Sequence, residues 1–140
     1  MKQIPVIFWT GTGNTQMMAD AIAAAINAAG AEAVVKNVSE ITADEAAGYD
    51  ALALGCPAMG AEVLEECEFE PFFTELEGKL SGKKVALFGS YGWGGSYMQD
   101  WEARVKDAGA ELVAEGVLAL GAPDDEAMAK LAEAGKLLAE

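Results

Sequence analysis

The 140-residue chain has no histidine and only two cysteines, Cys56 and Cys67. Without histidine there is no imidazole base, no Ser/His or Cys/His pair and no His-bearing zinc site. The two cysteines do not form a CxxC motif and read as buried or idle thiols. Any chemistry must therefore come from carboxylates, hydroxyls or a cofactor. Cationic residues are scarce as well: 9 Lys and Arg stand against 23 Asp and Glu, for a net charge of −14. Such a balance argues against nucleic acid, whose phosphates demand cations, and equally against anionic membrane surfaces. It leaves solubility, or steering toward a basic partner. No apolar run approaches the roughly 20 residues that span a bilayer. Met1-Lys2-Gln3-Ile4-Pro5 leads into a strand without a signal-peptide layout, so the expected compartment is the cytoplasm. Linkers, repeats and low-complexity tracts are also missing. With 52% hydrophobic residues the expectation is one domain over residues 1–140.

What is present is alternation. Apolar strand candidates are Val6–Trp9, Ala33–Asn37, Ala51–Gly55, Lys84–Ser90 and Leu112–Leu120. The first strand is expected to start at or after Pro5, which would otherwise remove a ladder hydrogen bond. Amphipathic segments lie between and after them. Met18, Ile22, Ile26 and Ala29 recur at helical spacing before Gly30, and Thr42 and Glu45 are spaced as a capping box. Further helices are expected over Phe69–Leu76, over Tyr97–Ala108, and from Asp124 onward, the last carrying Met128, Leu131 and Leu138. Strands that read as continuous apolar runs between helices imply an α/β fold with a parallel sheet covered on both faces. Five strands in this length suit the order 2-1-3-4-5. A ligand in such a sheet sits beyond the carboxyl ends of the strands, at the switch point between strands 1 and 3.

The first strand runs into Thr10-Gly11-Thr12-Gly13-Asn14-Thr15, and a helix pattern follows at once. Backbone N–H groups at a helix N-terminus are unpaired, and the helix dipole favours an anion there. Gly11 and Gly13 allow close approach, while three threonines and an asparagine supply neutral donors. This is a phosphate cradle without lysine. A nucleotide-hydrolysing P-loop requires that lysine, so a triphosphate is not expected. The strand-3 loop offers Met59, and the strand-4 loop, Gly89-Ser90-Tyr91-Gly92-Trp93-Gly94-Gly95-Ser96, offers Trp93. A flat aromatic ligand between Met59 and Trp93, with its phosphate on the first loop, satisfies all three loops.

Three stretches carry a specific resemblance. TGTGNT, the run GCPAMGAEVLEE with EFEPFF, and SGKKVALFGSYGWG are together similar to the short-chain flavodoxins of strictly anaerobic bacteria. The resemblance covers nearly the whole chain. It implies a flavodoxin-like three-layer sandwich with a five-stranded parallel sheet, noncovalently bound FMN, and a low-potential one-electron carrier shuttling mainly between semiquinone and hydroquinone. It implies that Thr10, Thr12, Asn14 and Thr15, with the backbone of Gly11 and Gly13, hold the phosphate, and that Trp9 lies close to that loop. Met59 and Trp93 would face the two sides of the isoalloxazine, and Glu62 would accept from flavin N3. The Gly60 carbonyl would meet flavin N5 after reduction, and backbone near Gly92 the pyrimidine oxygen. Pro57, Ala58, Ala61, Ser90, Tyr91 and Gly94 complete the implied contact set. Two positions depart from relatives: Pro57 replaces a serine found in some of them, and Gly121-Ala122 precede Pro123 where an Asn-Glu pair is common.

Met59-Gly60-Ala61-Glu62 has glycine at the second position of a turn, which permits a peptide flip that other residues resist. Glu62, Glu65, Glu66, Glu68 and Glu70 follow. Carboxylates without a nearby Lys or Arg would disfavour an anionic reduced flavin. Glu68 and Glu70 are expected to be a solvated face. The resemblance implies a monomer with basic-surfaced redox partners, such as low-potential oxidoreductases or hydrogenase and nitrogenase systems. Two other readings are an FMN-dependent oxidoreductase of the quinone-reductase type and a cofactor-free receiver. Met59 and Trp93 would block the second substrate of the former. The acidic residues that a receiver needs at the end of strand 1 are replaced by Trp9 and Thr10.

Overall fold

Apolar runs separated by amphipathic ones fold here as strand, helix and strand in turn. The structure, a computed structural model, describes residues 2–11, 13–57, 67–91 and 97–140. Its elements are β1 (Gln3–Phe8), α1 (Asn14–Ala28), β2 (Glu32–Asn37), a 3-10 turn (Val38–Glu40), α2 (Ala43–Ala47), β3 (Ala51–Gly55), α3 (Phe69–Glu77), β4 (Lys84–Tyr91), α4 (Tyr97–Asp107), β5 (Glu111–Leu112), β6 (Val117–Leu120) and α5 (Asp125–Ala139). All the strand pairs are parallel, in the order β2-β1-β3-β4-β5, with β6 also on β4.

Alternation along each strand sends side chains to two separate cores. Ile4, Val6 and Phe8 of β1, Ala51 and Ala53 of β3, and Ala86 and Phe88 of β4 pack under α1 and α5. Ile7, Leu52, Leu54, Val85 and Leu87 point the other way, into the aromatic cluster of α3 and α4. There Trp101 meets Phe69 and Phe73 edge-on, at 5.5 and 5.9 Å between ring centres. These are favourable aromatic geometries. The expected capping box closes α2: Glu45 N–H donates to Thr42 Oγ1 and Thr42 N–H to Glu45 Oε1.

Three expectations about the elements need correction. The first strand starts at Gln3, two residues before Pro5. Trp9 N–H donates to Gly55 O, so alternate residues back to Pro5 turn their nitrogens toward β3. Pairing with β3 begins only at Val6, whereas pairing with β2 already runs from Gln3. The missing donor thus falls where that ladder has not begun. The fifth strand is not continuous over Leu112–Leu120. It lies as β5 and β6, whose registers put Leu112 on Val85 and Val117 on Phe88. The connecting stretch bulges away from β4, and Glu102 accepts the Gly116 N–H at 2.7 Å. Finally, Met128 faces solvent, while Ala127, Leu131, Ala134 and Leu138 form the buried stripe of α5.

Arg104 ties α4 to α3. It donates to both Glu70 oxygens at 2.7 and 2.9 Å and to both Glu77 oxygens at 3.1 Å, with its guanidinium 4.7 Å above the Phe73 ring centre. Glu70 is therefore not a solvated face. Its bond from Arg104 holds its carboxyl below the usual range, against a smaller opposing effect of burial. A carboxyl whose folded pKa is depressed stabilises the fold above its unfolded pKa, and that contribution is lost as pH falls through the folded value. The groups are about a third exposed, so solvent screening limits the pair to about 1 kcal/mol. Arg104→Met is expected to lower stability by about that amount at pH 7 and by progressively less in acid below the ordinary carboxyl range. Urea unfolding at stepped pH measures both.

Candidate cofactor site

The carboxyl ends of β1, β3 and β4 open on one edge of the sheet. β1 and β3 are neighbours there, while their next partners, β2 and β4, lie on opposite sides. Ligands of sheets with this strand order bind beyond the carboxyl ends of the strands, at such a reversal.

Glycine shapes the first loop. Gly13 is the N-cap of α1 with φ +93°, a left-handed conformation that side chains resist. Its N–H donates to Thr10 Oγ1 at 2.9 Å, and its carbonyl accepts from Met17 N–H at 3.0 Å, the first bond of the helix. No side chain caps α1, and no acidic residue lies in its first turn. The N-cap glycine brings no side-chain oxygen to α1, and no carboxylate in the first turn would repel an anion held there. Gly11 is exposed, and a β-carbon on it would come within 3.2 Å of the Trp9 ring. The indole thus lies against the loop, half-buried, and its Nε1–H donates to Glu68 Oε1 at 3.2 Å. Glu68 is exposed, as expected of a solvated face, and accepts this bond at the surface.

Thr15 and Ser90 meet beneath this loop. Their hydroxyls are 3.2 Å apart, and the two residues are 1% and 6% exposed. Two hydroxyls joined by one hydrogen bond retain one hydrogen to donate elsewhere. Ser90 arrives from the far side of β3, on β4, so the bond joins the N-terminus of α1 to the fourth strand. Among the described residues these are the polar or charged side chains classed as buried. Hydroxyls and helix N–H groups without a carboxylate suit a phosphate monoester held by neutral donors.

Close packing supports this edge. A β-carbon on Gly55 would lie 2.1 Å from the Phe88 ring, and one on Gly89 would lie 2.1 Å from both the Cys56 carbonyl oxygen and the Tyr97 hydroxyl. A glycine within a strand is the sequence signal for such approaches, but it does not name the partner. No sequence pattern signals the Thr15–Ser90 bond, the Tyr97–Cys56 bond or the Arg104 clamp. Each joins residues more than 25 positions apart.

Trp9, Thr10, Gly11, Gly13, Asn14 and Thr15 come together at the end of β1. Pro57 follows β3, half-buried, and Ser90 and Tyr91 end β4. Tyr91 O accepts from Gly121 N–H at 3.0 Å, which attaches the loop after β6 to the same edge. Thr12, Ala58, Met59, Gly60, Ala61, Glu62, Gly92, Trp93 and Gly94 lie outside the described residues, as do Glu65 and Glu66. Cys56 is buried and Cys67 exposed, and no disulfide joins them.

Comparison with known proteins gives a consistent result. The flavodoxin family model matches residues 6–135. The chain is similar to a flavodoxin of Clostridium beijerinckii, 49% identical over 135 residues, covering 96% of this chain and 97% of that one. It is also similar to a flavodoxin of Megasphaera elsdenii, 47% identical over 116 residues, covering 82% and 85%. Its fold matches the solution structure of two-electron reduced Megasphaera elsdenii flavodoxin with a TM-score of 0.90 at 44% identity, over 97% of this chain and 98% of that one.

The buried hydroxyl pair generates a direct test. Thr15→Val keeps the shape of the side chain and removes its donor. It is expected to weaken FMN about tenfold or more, the worth of a hydrogen bond to a charged group, and to change riboflavin, which has no phosphate, much less. Fluorescence titration of the apoprotein with each flavin measures the ratio, and equal losses would remove the phosphate role.

Proposed function

Because the chain belongs to the flavodoxin family, it is an electron carrier with FMN as its cofactor and not an enzyme, and we propose that it works at low potential, passing single electrons between the half-reduced and fully reduced levels of that cofactor. The observation that carries this reading is the lysine-free cradle at the N-terminus of α1, with the buried Thr15–Ser90 pair beneath it. FMN supplies the reversible one-electron chemistry that the side chains here lack. The chain's own residues bind it and set the cost of adding charge to it.

Thr10, Thr12, Asn14 and Thr15, with the backbone of Gly11 and Gly13, hold the phosphate in this proposal. Met59 and Trp93 cover the two ring faces and exclude water, and Glu62 accepts from the ring. Pro57, Ala58, Ala61, Ser90, Tyr91, Gly92 and Gly94 line the remaining edge, and Trp9 closes the phosphate end. Gly60 allows its carbonyl to turn toward the ring once a proton has been added there. Glu62, Glu65 and Glu66 place negative charge beside the site, which opposes a further negative charge and lowers the second potential. Water exclusion increases that cost. The whole of residues 1–140 acts as one FMN-binding domain.

The proposed setting is the cytoplasm, as a monomer. Among the described residues no helix is long and apolar enough to cross a membrane. The partners are redox proteins with basic docking surfaces, of the low-potential oxidoreductase, hydrogenase or nitrogenase kind. A net charge of −14 steers such encounters, and steering weakens as salt screens it. A quinone reductase would turn over NAD(P)H and a quinone without an added reductase, and no such turnover is expected.

Anaerobic reductive titration of the FMN-loaded chain tests the redox reading. Two resolved one-electron steps are expected, the second well below the first, and one unresolved two-electron step would overturn it. The docking reading makes a separate prediction for Glu65→Gln with Glu66→Gln. Stopped-flow electron transfer to a basic partner should slow at low salt, and its salt dependence should flatten. Rates and slope equal to the parent's would place docking elsewhere.

A further inference from the structure

The chain leaves β3 through Cys56 and Pro57 and enters α4 at Tyr97, so these points bound the two loops that flank the cofactor. We propose that Tyr97 is a positioning residue for the flavin: its hydroxyl ties the exit of β3 to the entry of α4 and holds both in place before the cofactor arrives. This inference rests on the FMN reading above.

The geometry is specific. Tyr97 is 2% exposed, and its hydroxyl donates to the Cys56 carbonyl at 2.8 Å. The Cys56 N–H donates to the Phe88 carbonyl at 3.1 Å. Residue 56 is thereby held through both backbone groups, one to β4 and one to α4. The bridge crosses directly over Gly89, since a β-carbon there would sit 2.1 Å from each bridging oxygen. Gly89 immediately precedes Ser90, whose hydroxyl meets Thr15 in the phosphate cradle. The two cross-links therefore span the same edge of the sheet, one at the N-terminus of α1 and the other between the exit of β3 and the entry of α4.

The phenol is well placed to act as a brace. Its ring stacks on Trp101 at 6.5 Å and 26°, and Trp101 in turn packs edge-on against Phe69 and Phe73 of α3. Burial pushes its pKa above the ordinary phenol range, with a smaller contribution from the Cys56 thiol, so it remains a donor. Without the hydroxyl, the Cys56 carbonyl would be buried with this donor lost. The two ends would then have to be ordered when the flavin binds rather than before. An interaction that pre-orders a site strengthens binding by removing that cost from the binding step.

Tyr97→Phe removes one oxygen and keeps the ring stack. FMN and riboflavin titrations of apo parent and variant, with thermal unfolding of each, form the test. FMN and riboflavin affinity should both fall by about five- to tenfold, the size of one net neutral hydrogen bond, because the brace serves the ring end and not the phosphate. Gly89→Ala, which drives a methyl group into the bridge, should produce the same paired loss by an independent route. A lower melting temperature with both affinities unchanged would make the bond merely structural and overturn the inference. A loss confined to FMN would assign the hydroxyl to the phosphate end and also overturn it. A parent chain that binds neither flavin would overturn the functional reading and this inference together. A parent that binds both while the variants match it would overturn this inference alone.

Discussion

Two absent β-carbons govern the carboxyl edge of the sheet. At Gly55 the missing atom makes room for the Phe88 ring, and at Gly89 for the Tyr97 hydroxyl and the Cys56 carbonyl. Interiors packed to crystal density give way to an added methyl group only by shifting neighbours. With Phe88 seated over Gly55, β3 and β4 stay in close register. With Gly89 bare, α4 starts directly against the end of β3. The next residue, Ser90, is then carried beneath the first loop to meet Thr15.

Electrostatics follows from how this edge is built. The chain is strongly acidic, yet the proposed phosphate cradle contains no lysine: it is a helix N-terminus with no acidic residue in its first turn, set over two buried hydroxyls. Such donors are fixed dipoles, and in the proposed carrier they would leave the negative field of the surface in place. The cationic Arg104 is spent elsewhere, between Glu70, Glu77 and the Phe73 ring, where it joins the two helices on the far side of the sheet. The glutamates after the strand-3 loop are thus not one uniform face. Glu68 holds the Trp9 indole and Glu70 holds Arg104.

In the proposed carrier, function would depend on pre-ordering more than on reactive side chains. Histidine, the usual general base, is absent from the sequence. What the fold contributes is a set of loops anchored at their ends. The first is fixed by Gly13 and Thr10, the second at Cys56, and the third at Ser90 and Tyr97. Rigid anchoring keeps the geometry of a bound group constant across charge states and keeps reorganisation small.

The sequence by itself determined the fold class and the strand order, and it pointed to the loop proposed to hold the phosphate. Apolar runs alternating with helical spacing admit few topologies, and TGTGNT at a strand-to-helix junction is a signal read from adjacent residues. It also determined the capping box of α2, for the same local reason. Pro5 misled because proline forbids one donor on one side of one strand, and only the pairing of β1 with β3 reveals that the ladder on that side begins one residue later. The break between β5 and β6 escaped the pattern because a bulge is defined by register against β4, which an apolar run does not encode. The Thr15–Ser90 pair, the Tyr97–Cys56 bridge over Gly89 and the Arg104 clamp were decided by tertiary structure alone. Each is a hydrogen bond between distant residues whose types permit many partners, and only the packing of the sheet against its helices selects one.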